Sequence, residues 1–255
     1  MRSTELIDKL TSDEFIGGRV VVEQPRTGYR ANIDSVLLSA AVSCGKGDTI
    51  LELGCGVGTI LFCLMARVKG LKAYGVEIQE RYAELARSNA KRNMLKVNIV
   101  TADICSLPIA IKKIEFDNVV FNPPFNRRTS SYASNNKEQD ISKREFNPDL
   151  PGWIDIAIKR CKVKGEIVII HQIDRLGEIL TAFADRVGDI TILPVVSFRN
   201  ENAKKIIVKC RKGTRGLLKL CPPLVVHKKT PENLYSDSYT SSVEKILKNG
   251  HPLKF

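Results

Sequence analysis

The sequence predicts an α/β fold, in which an open and mostly parallel sheet carries helices on both faces. Two features of the 255-residue chain indicate this fold. Strand-like runs alternate with helix-like runs through the middle of the sequence, and each strand-like run is β-branched or apolar enough to be buried on both faces. The predicted sheet strands are residues 49–53, 72–77, 97–101, 116–122 and 166–171.

Helical spacing of the apolar residues fills the intervals between these strands. The predicted helices are residues 59–68, 80–93, 150–161 and 174–187. Two later strand-like runs, 190–198 and 203–211, enclose a polar turn. They predict a C-terminal antiparallel hairpin that completes the sheet.

The residues before the first sheet strand predict a small extension. Apolar residues alternate over 15–24 around Gly17-Gly18, which indicates a short hairpin, and 34–42 has the pattern of a helix capped by Asp34. We expect a single domain over the whole chain. Its parts are an N-terminal extension, a core and a C-terminal tail, at residues 1–48, 49–230 and 231–255.

Composition excludes several classes of protein. No apolar run approaches the roughly 18 uncharged residues that a membrane-spanning helix needs, and the first residues lack the apolar stretch of a secretory signal. We therefore expect a cytoplasmic protein with no membrane partner, and we assume a monomer. The seven cysteines include no Cys-x-x-Cys pair and the three histidines are scattered, so we expect reduced thiols and no metal.

Positive charge is concentrated late in the chain. The formal net charge is +12, and residues 196–230 hold ten lysines and arginines against one acid. Because such a field opposes folding unless a partner neutralises it, we expect nucleic acid as the partner. The polar tract 126–149 is too poor in apolar residues to pack, which predicts a mobile loop that is a candidate lid or substrate clamp. The RNA-binding candidates are Arg127, Arg128, Arg199, Lys204, Lys205, Lys209, Arg211 and Lys212.

A glycine-rich turn follows the first sheet strand and opens a helix. A dinucleotide site would place its third glycine at residue 59, where this chain has Thr59. The pattern Glu-x-Gly-x-Gly-x-Gly instead resembles the first motif of S-adenosylmethionine-dependent methyltransferases. The resemblance implies cofactor-binding roles for Glu52, Gly54, Gly56 and Gly58.

Two acids follow the next two strands. Glu77 ends the second strand, where a carboxylate can accept hydrogen bonds from both hydroxyls of a ribose. Asp103 ends the third strand within Ala102-Asp103-Ile104, where the same family keeps an acid that accepts from the adenine amine of the cofactor. The carboxyl ends of parallel strands meet at one edge of the sheet, so we expect both acids and the glycine turn to form one site.

The fourth strand ends in Asn122, Pro123, Pro124 and Phe125. Two prolines could simply end the strand, but a terminator needs neither an asparagine nor an aromatic ring. The segment resembles the signature of methyltransferases that act on planar amino groups, such as adenine N6 or the glutamine amide. The resemblance implies that the Asn122 side-chain oxygen and the Pro123 carbonyl accept the amine hydrogens, and that Phe125 stacks on the base.

The segment Tyr-Arg-x-x-x-Asp-x-x-Leu-Leu before the glycine turn resembles the bacterial tRNA1(Val) adenine-N6 methyltransferases. That family implies a Rossmann-like class I methyltransferase fold with a seven-stranded sheet, S-adenosylmethionine as cofactor, and tRNA as substrate, at the adenosine 3′ of the anticodon. It also implies that this segment caps the methionine end of the cofactor. The candidates are Tyr29, Arg30, Asn32 and Asp34; the alternative is that Asp34 only caps a helix.

Three other functions stay open from sequence alone. A protein-glutamine methyltransferase of release factors would share the chemistry, but such enzymes carry a helical domain before the glycine turn and usually end the motif with Tyr. An rRNA or DNA adenine target would need the same pocket. An RNA-binding protein that keeps the fold without catalysis would have no need for two aligned acceptors and a ring.

Overall fold

The computed structural model describes residues 10–28, 30–124, 148–228 and 238–255. The strands are β1 (Leu10–Phe15), β2 (Val20–Pro25), β3 (Thr49–Leu53), β4 (Lys72–Glu77), β5 (Val97–Thr101), β6 (Phe116–Phe121), β7 (Cys161–Gln172), β8 (Val187–Val196), β9 (Lys205–Lys212), β10 (Lys219–Leu220) and β11 (Leu224–Val225). The helices are α1 (Ile33–Ala41), α2 (Thr59–Arg67), α3 (Glu80–Arg92), α4 (Ile109–Lys112), α5 (Leu150–Arg160), α6 (Leu176–Phe183) and α7 (Ser241–Asn249), with 3₁₀ turns at Ile104–Ser106 and Ile173–Arg175.

The central sheet has the strand order β10-β8-β9-β7-β6-β3-β4-β5, and β11 also pairs with β8. Strands β3 to β7 are mutually parallel, whereas β9 is antiparallel to both β7 and β8. The predicted α/β class and the C-terminal hairpin are therefore confirmed. The strand count differs from the predicted seven, because β10 and β11 bring the sheet to nine. Each has two residues, too few to show a pattern in sequence.

Helices cover both faces of this sheet, over two separate apolar cores. Side chains of α1, α2 and α7, together with the β1–β2 hairpin, fill the core on one face. Side chains of α5 and α6 fill the core on the other. The predicted helix at 174–187 ends earlier, at Phe183, because Val187 and Gly188 pair with β9 as the start of β8. Pairing across the sheet thus overrides the local helical pattern.

The last residues of the predicted tail also belong to the fold. Helix α7 buries Val243 and Ile246 in the same core as α1. The apolar pattern of this helix covers only nine residues, and most of these residues are polar. The helix is therefore stabilised by packing on α1 more than by its own propensity.

Side chains of α3 pair with the open edge of β2. The Asn93 side chain accepts from the Val21 amide at 2.9 Å and donates to the Val21 carbonyl at 2.7 Å. One turn earlier, Asn89 makes the same pair of bonds with Glu23, each at 2.9 Å, and also donates to the Val57 carbonyl. Two helical side chains thus replace a neighbouring strand and fix the hairpin over α3.

Replacing Asn89 by alanine should lower the free energy of unfolding by about 3 kcal/mol, since it leaves partly buried backbone groups of Glu23 and the buried carbonyl of Val57 without this partner. Urea denaturation measures the change. The matched control is Asn98→Ala on the exposed side of β5, which should change stability by less than about 0.5 kcal/mol. Equal effects of the two changes would contradict the role of Asn89.

Candidate active site

The candidate active site lies at the carboxyl ends of four neighbouring parallel strands. In the sheet, β6, β3, β4 and β5 are adjacent in that order. The glycine turn follows β3, Glu77 ends β4, Asp103 follows β5 and Asn122 follows β6. Register places Leu53 beside both Val76 and Phe121. The sheet therefore brings together at one end the three features that the sequence predicted to converge, and Asn122 lies at the same end.

The glycine turn has a backbone conformation that other residues rarely adopt. Gly54, Gly56 and Gly58 have φ angles of +66°, +52° and +91°. A Cβ atom on Gly54 would lie 2.7 Å from Cη2 of Trp153, and one on Gly58 would overlap the ring of Phe62. Both the dihedral angle and the available space therefore require glycine at these two positions.

Glu77 holds this turn from the neighbouring strand. Its Oε2 accepts from the Gly56 amide at 2.8 Å, and its Oε1 accepts from the Gln79 amide at 2.9 Å. The side chain is buried. Each carboxylate oxygen keeps a second lone pair, so the group can still accept ligand hydroxyls. The arrangement fits a ribose between the glycine turn and the first turn of α3.

Glu52 lies one step further inside, within β3. Its carboxyl group is buried, and Oε2 has no hydrogen-bond partner among the residues that the structure describes. Burial, reinforced by the negative charge of Glu77, raises the pKa of Glu52 well above its usual range. Glu52 is therefore part of the interior beneath the glycine turn, and the carboxylates at the mouth of the site are Glu77 and Asp103.

Asp103 combines a structural contact with its place at the site. Its Oδ1 accepts from the Cys105 amide at 2.8 Å and caps the 3₁₀ turn Ile104–Ser106. The Ala102 amide donates to the Glu77 carbonyl at 2.9 Å, which ties the ends of β4 and β5 together. Ile104 is buried. The three residues after β5 thus have fixed backbone positions beside Glu77.

Asn122 carries a buried polar atom at the end of β6. Its Oδ1 is shielded from solvent and has no hydrogen-bond partner in the described part of the chain. Leaving a buried acceptor unpaired costs about 1–3 kcal/mol, so such an atom at a site edge marks a place where a ligand donor belongs. Pro123 is buried and Pro124 exposed. Phe125, Arg127 and Arg128 lie outside the described residues.

Trp153 is the residue of this site that sequence analysis missed. It lies in the first turn of α5, over Gly54, and its ring stacks on Phe121 with centroids 6.1 Å apart. Phe121 directly precedes Asn122. The ring therefore touches both the glycine turn and the strand end that carries Asn122. It is the only tryptophan of the chain, but no local pattern connects it with residues so distant in sequence.

The segment before α1 is anchored to the hairpin. The Arg30 guanidinium donates to Thr11 Oγ1, the Pro25 carbonyl and Asp13 Oδ2, at 2.8, 2.6 and 2.8 Å. A Cβ atom on Gly28 would lie 2.9 Å from the hydroxyl of Tyr82, in the first turn of α3. The chain thus passes the site beside α3, and the Arg30 side chain positions it there. Tyr29 lies outside the described residues.

Asn32, not Asp34, caps helix α1. The side-chain oxygen of Asn32 accepts from the Asp34 amide at 2.8 Å, so the predicted cap is wrong by two residues. The Asp34 carboxylate is buried and pairs with the Lys205 ammonium at 2.5 Å. The cap shifts because an asparagine that precedes the helix can reach the first free amides, whereas Asp34 already lies within the helix.

The basic stretch is divided between the two ends of the sheet. Arg199 and Lys204 are exposed at the turn between β8 and β9, at the same end as Asn122, whereas Lys205 is paired with Asp34. Strand β9 carries the other cations away from the site. Lys209 is only 14% exposed and lies 3.9 Å from Glu166.

Two more cations reach backbone carbonyls at the far end. Arg211 donates to the Lys164 carbonyl at 3.0 Å, and Lys212 donates to the Cys161 carbonyl at 2.7 Å. Neither residue faces the site. The cations that are close together in sequence therefore do not form one continuous surface.

Two features are absent from the residues that the structure describes, namely a metal-binding group and a membrane-spanning helix. No group of three or more histidine, cysteine, aspartate or glutamate side chains there is arranged to hold a metal ion. Nor does any helix there have the length and apolar character needed to cross a membrane.

Comparison with known sequences relates the chain to methyltransferases. The model of the methyltransferase small domain family matches residues 30–139. The tRNA1(Val) (adenine(37)-N6)-methyltransferase of Porphyromonas gingivalis is 27% identical over 246 residues, which cover 92% of this chain and 95% of that protein. A putative protein N5-glutamine methyltransferase of Methanocaldococcus jannaschii is 26% identical, over 58% of this chain and 80% of that protein.

Solved structures show the same fold. A predicted O-methyltransferase of Agrobacterium tumefaciens aligns with a TM-score of 0.67 and 22% identity, over 87% of this chain and 97% of that chain. A putative class I S-adenosylmethionine-dependent methyltransferase of Listeria monocytogenes aligns with a TM-score of 0.54 and 18% identity, over 84% and 68% of the two chains. Sheet order, glycine turn and relatives together define a class I S-adenosylmethionine-dependent methyltransferase. Within that class, the relatives from Porphyromonas gingivalis, which this chain matches over most of its length, are named tRNA1(Val) (adenine(37)-N6)-methyltransferases.

Proposed function

We propose that this protein transfers the methyl group of S-adenosylmethionine to N6 of an adenine in tRNA, at the adenosine 3′ of the anticodon of a valine tRNA. The observation that carries the proposal is the buried Oδ1 of Asn122, which has no hydrogen-bond partner among the described residues and lies at the carboxyl end of β6, beside the glycine turn. The names of the relatives from Porphyromonas gingivalis support the choice of tRNA and of adenine.

The residues at the sheet edge fit the cofactor. The glycine turn has the positive φ angles that let backbone lie against a ligand, and Glu77 presents lone pairs for the ribose hydroxyls. Asp103 would accept from the adenine amine, and the segment from Tyr29 to Asp34 would cover the methionine end. When bound, S-adenosylmethionine supplies an electrophilic methyl group on a positively charged sulfur. The chain's own task is to hold this methyl group in line with the incoming nitrogen.

The target amine requires orientation more than a base. Adenine N6 is a poor nucleophile because its lone pair is delocalised into the ring. Asn122 Oδ1 and the Pro123 carbonyl would accept its two hydrogens, which directs the lone pair at the methyl group, and Phe125 would stack on the ring. Attack can precede proton loss, so positioning and fixed dipoles account for the rate. The two prolines keep the second acceptor from moving.

The adenine must lie outside a base-paired stack to reach this edge. A loop nucleotide of tRNA meets this requirement without the cost of unpairing. The first experiment is methyl transfer from labelled S-adenosylmethionine to total RNA of a strain that lacks the gene, followed by nuclease digestion and mass spectrometry. We expect N6-methyladenosine in one tRNA. Label in a protein fraction and in no RNA would overturn the proposal in favour of glutamine methylation.

Charge reversal at the two ends of the sheet tests where RNA binds. Lys204→Glu at the site end should weaken RNA binding and reduce the slope of log Kd against log salt concentration by about one, because a phosphate contact is lost. Arg215→Glu changes the charge equally at the far end, after β9, and should leave the slope unchanged. Titrations at several salt concentrations measure both. Equal slopes for the two variants would contradict the assignment.

A further inference from the structure

Three aromatic rings from separate segments of the chain meet at the same end of the sheet as the candidate active site. Phe198 follows β8, His227 follows β11 and Tyr239 precedes α7. The ring centroids of Phe198 and His227 are 5.6 Å apart, and those of His227 and Tyr239 are 5.2 Å apart with an interplanar angle of 26°. All three side chains are partly exposed. We refer to these three residues as the aromatic cluster.

Main-chain hydrogen bonds set the positions of these rings. His227 and Tyr239 form an antiparallel bridge. The His227 amide donates to the Ser197 carbonyl at 2.8 Å, and the Thr240 amide donates to the Val226 carbonyl at 2.9 Å. Each ring is therefore carried by backbone that is tied to its neighbour, and replacing one ring by an aliphatic side chain leaves this framework in place.

The aromatic cluster lies at the same end of the sheet as Asn122. Lys205, which begins β9, pairs with Gln172 at the end of β7, and β7 is parallel to β6. The turn that carries Phe198 connects β8 to β9 at this end. Tyr239 also lines a cleft of about 310 Å³ together with Asn32, the cap of α1. The cluster is thus adjacent to the segment that borders the cofactor site.

Exposed cations surround the aromatic cluster. Arg199 and Lys228 directly follow Phe198 and His227 in sequence, and Lys204 lies in the same turn as Arg199. Of the described acids near the cluster, Glu201 lies in the same turn as Arg199, and Glu244 is paired with Lys248. Partly exposed rings among cations are the combination that binds unpaired nucleotides, since the rings stack on bases while the cations contact phosphates. A closed double helix offers such rings no base face.

We propose that the aromatic cluster stacks an unpaired nucleobase of the substrate RNA close to the target adenine, with Arg199 and Lys228 on the flanking phosphates. This inference rests on the proposed function, because it assigns a second contact to the same RNA. It also accounts for why the C-terminal segment is paired to the hairpin turn. Stacking at this point holds the loop open, so that the adjacent adenine can reach Asn122.

The test compares RNA binding by ring-removing variants of the full chain, with S-adenosylhomocysteine at saturation. The probes are a fluorescein-labelled RNA stem-loop with an unpaired, adenine-containing loop and a blunt duplex of the same stem. Phe198→Leu and Tyr239→Leu should raise Kd for the stem-loop by about tenfold to one hundredfold, without changing Kd for the duplex. Tyr239→Phe keeps the ring and should bind like the unchanged protein. Tyr74→Leu removes a ring from β4, far from the cluster, as a matched control.

The outcomes separate this inference from the proposed function. Unchanged Kd values for Phe198→Leu and Tyr239→Leu, in a protein that still methylates RNA, would overturn the aromatic cluster as an RNA contact and leave the proposed function standing. An unchanged protein that methylates no RNA would overturn the proposed function itself. Equal losses for Tyr239→Phe and Tyr239→Leu would also refute stacking. The KM for S-adenosylmethionine and the thermal midpoint show that each variant is folded.

Discussion

Replacing Asn122 by alanine should lower kcat for methyl transfer by about 10²–10³-fold, while the Kd for S-adenosylmethionine stays nearly unchanged. The variant removes the acceptor Oδ1, which has no partner among the described residues, and leaves the glycine turn and Glu77 intact. The lower kcat therefore reflects poorer orientation of the target amine in the transition state. Single-turnover rates with saturating RNA and cofactor measure the chemical step, and calorimetry measures cofactor binding.

Asn118 provides the matched control for this prediction. It lies on β6, four residues before Asn122 and on the same face, and its Oδ1 is likewise buried without a partner in the part of the chain that the structure describes. Because Asn118 is in mid-strand, between Ile50 and Glu166 of the flanking strands, no substrate can reach it. Asn118→Ala should change stability and leave kcat within about threefold of the unchanged enzyme. A full rate for Asn122→Ala would refute its role.

Replacing Glu77 by alanine should raise the Kd for S-adenosylmethionine by about one hundredfold or more. The carboxylate fixes the amides of Gly56 and Gln79, and each hydrogen bond to a charged group is worth about 1.5–3 kcal/mol. Its loss both loosens the glycine turn and removes the acceptors for the ribose. Calorimetric titration with S-adenosylhomocysteine measures the affinity, and kcat at saturating cofactor should fall much less.

Two further variants sharpen the test of Glu77. Glu77→Gln keeps the size of the side chain but turns one acceptor into a donor facing a backbone amide, so it should lose most of the affinity as well. Glu80→Gln is the control, since Glu80 is exposed in α3 and pairs only with Arg87 among the contacts that the structure shows. Its affinity should be unchanged. Tight cofactor binding by Glu77→Ala would show that Glu77 does not bind the cofactor.

The sequence by itself determined which end of the sheet carries the candidate site, namely the end at which the parallel strands finish. The bounds of β3, β4 and β5 agree with the predicted strands, because these runs combine β-branched and apolar residues and are bounded by turns and polar residues. Burial on both faces holds for most of β3, whereas β5 is only partly buried because it is the last strand of the sheet. Consecutive parallel strands present their carboxyl ends together. Residues placed directly after them, such as Gly54, Glu77 and Asn122, are therefore close in space whatever the details of packing.

Only the tertiary structure decided the contacts between distant segments. Trp153 lies on Gly54, and the side chains of Asn89 and Asn93 pair with β2, although no local pattern relates these residues. The basic stretch divides because an extended strand carries successive residues about 3.3 Å apart, so β9 takes Lys209 away from the edge where Lys205 begins it. Local sequence specifies the positions of strands and turns along the chain, whereas the order of strands in the sheet and the partners of side chains depend on how the elements pack in three dimensions.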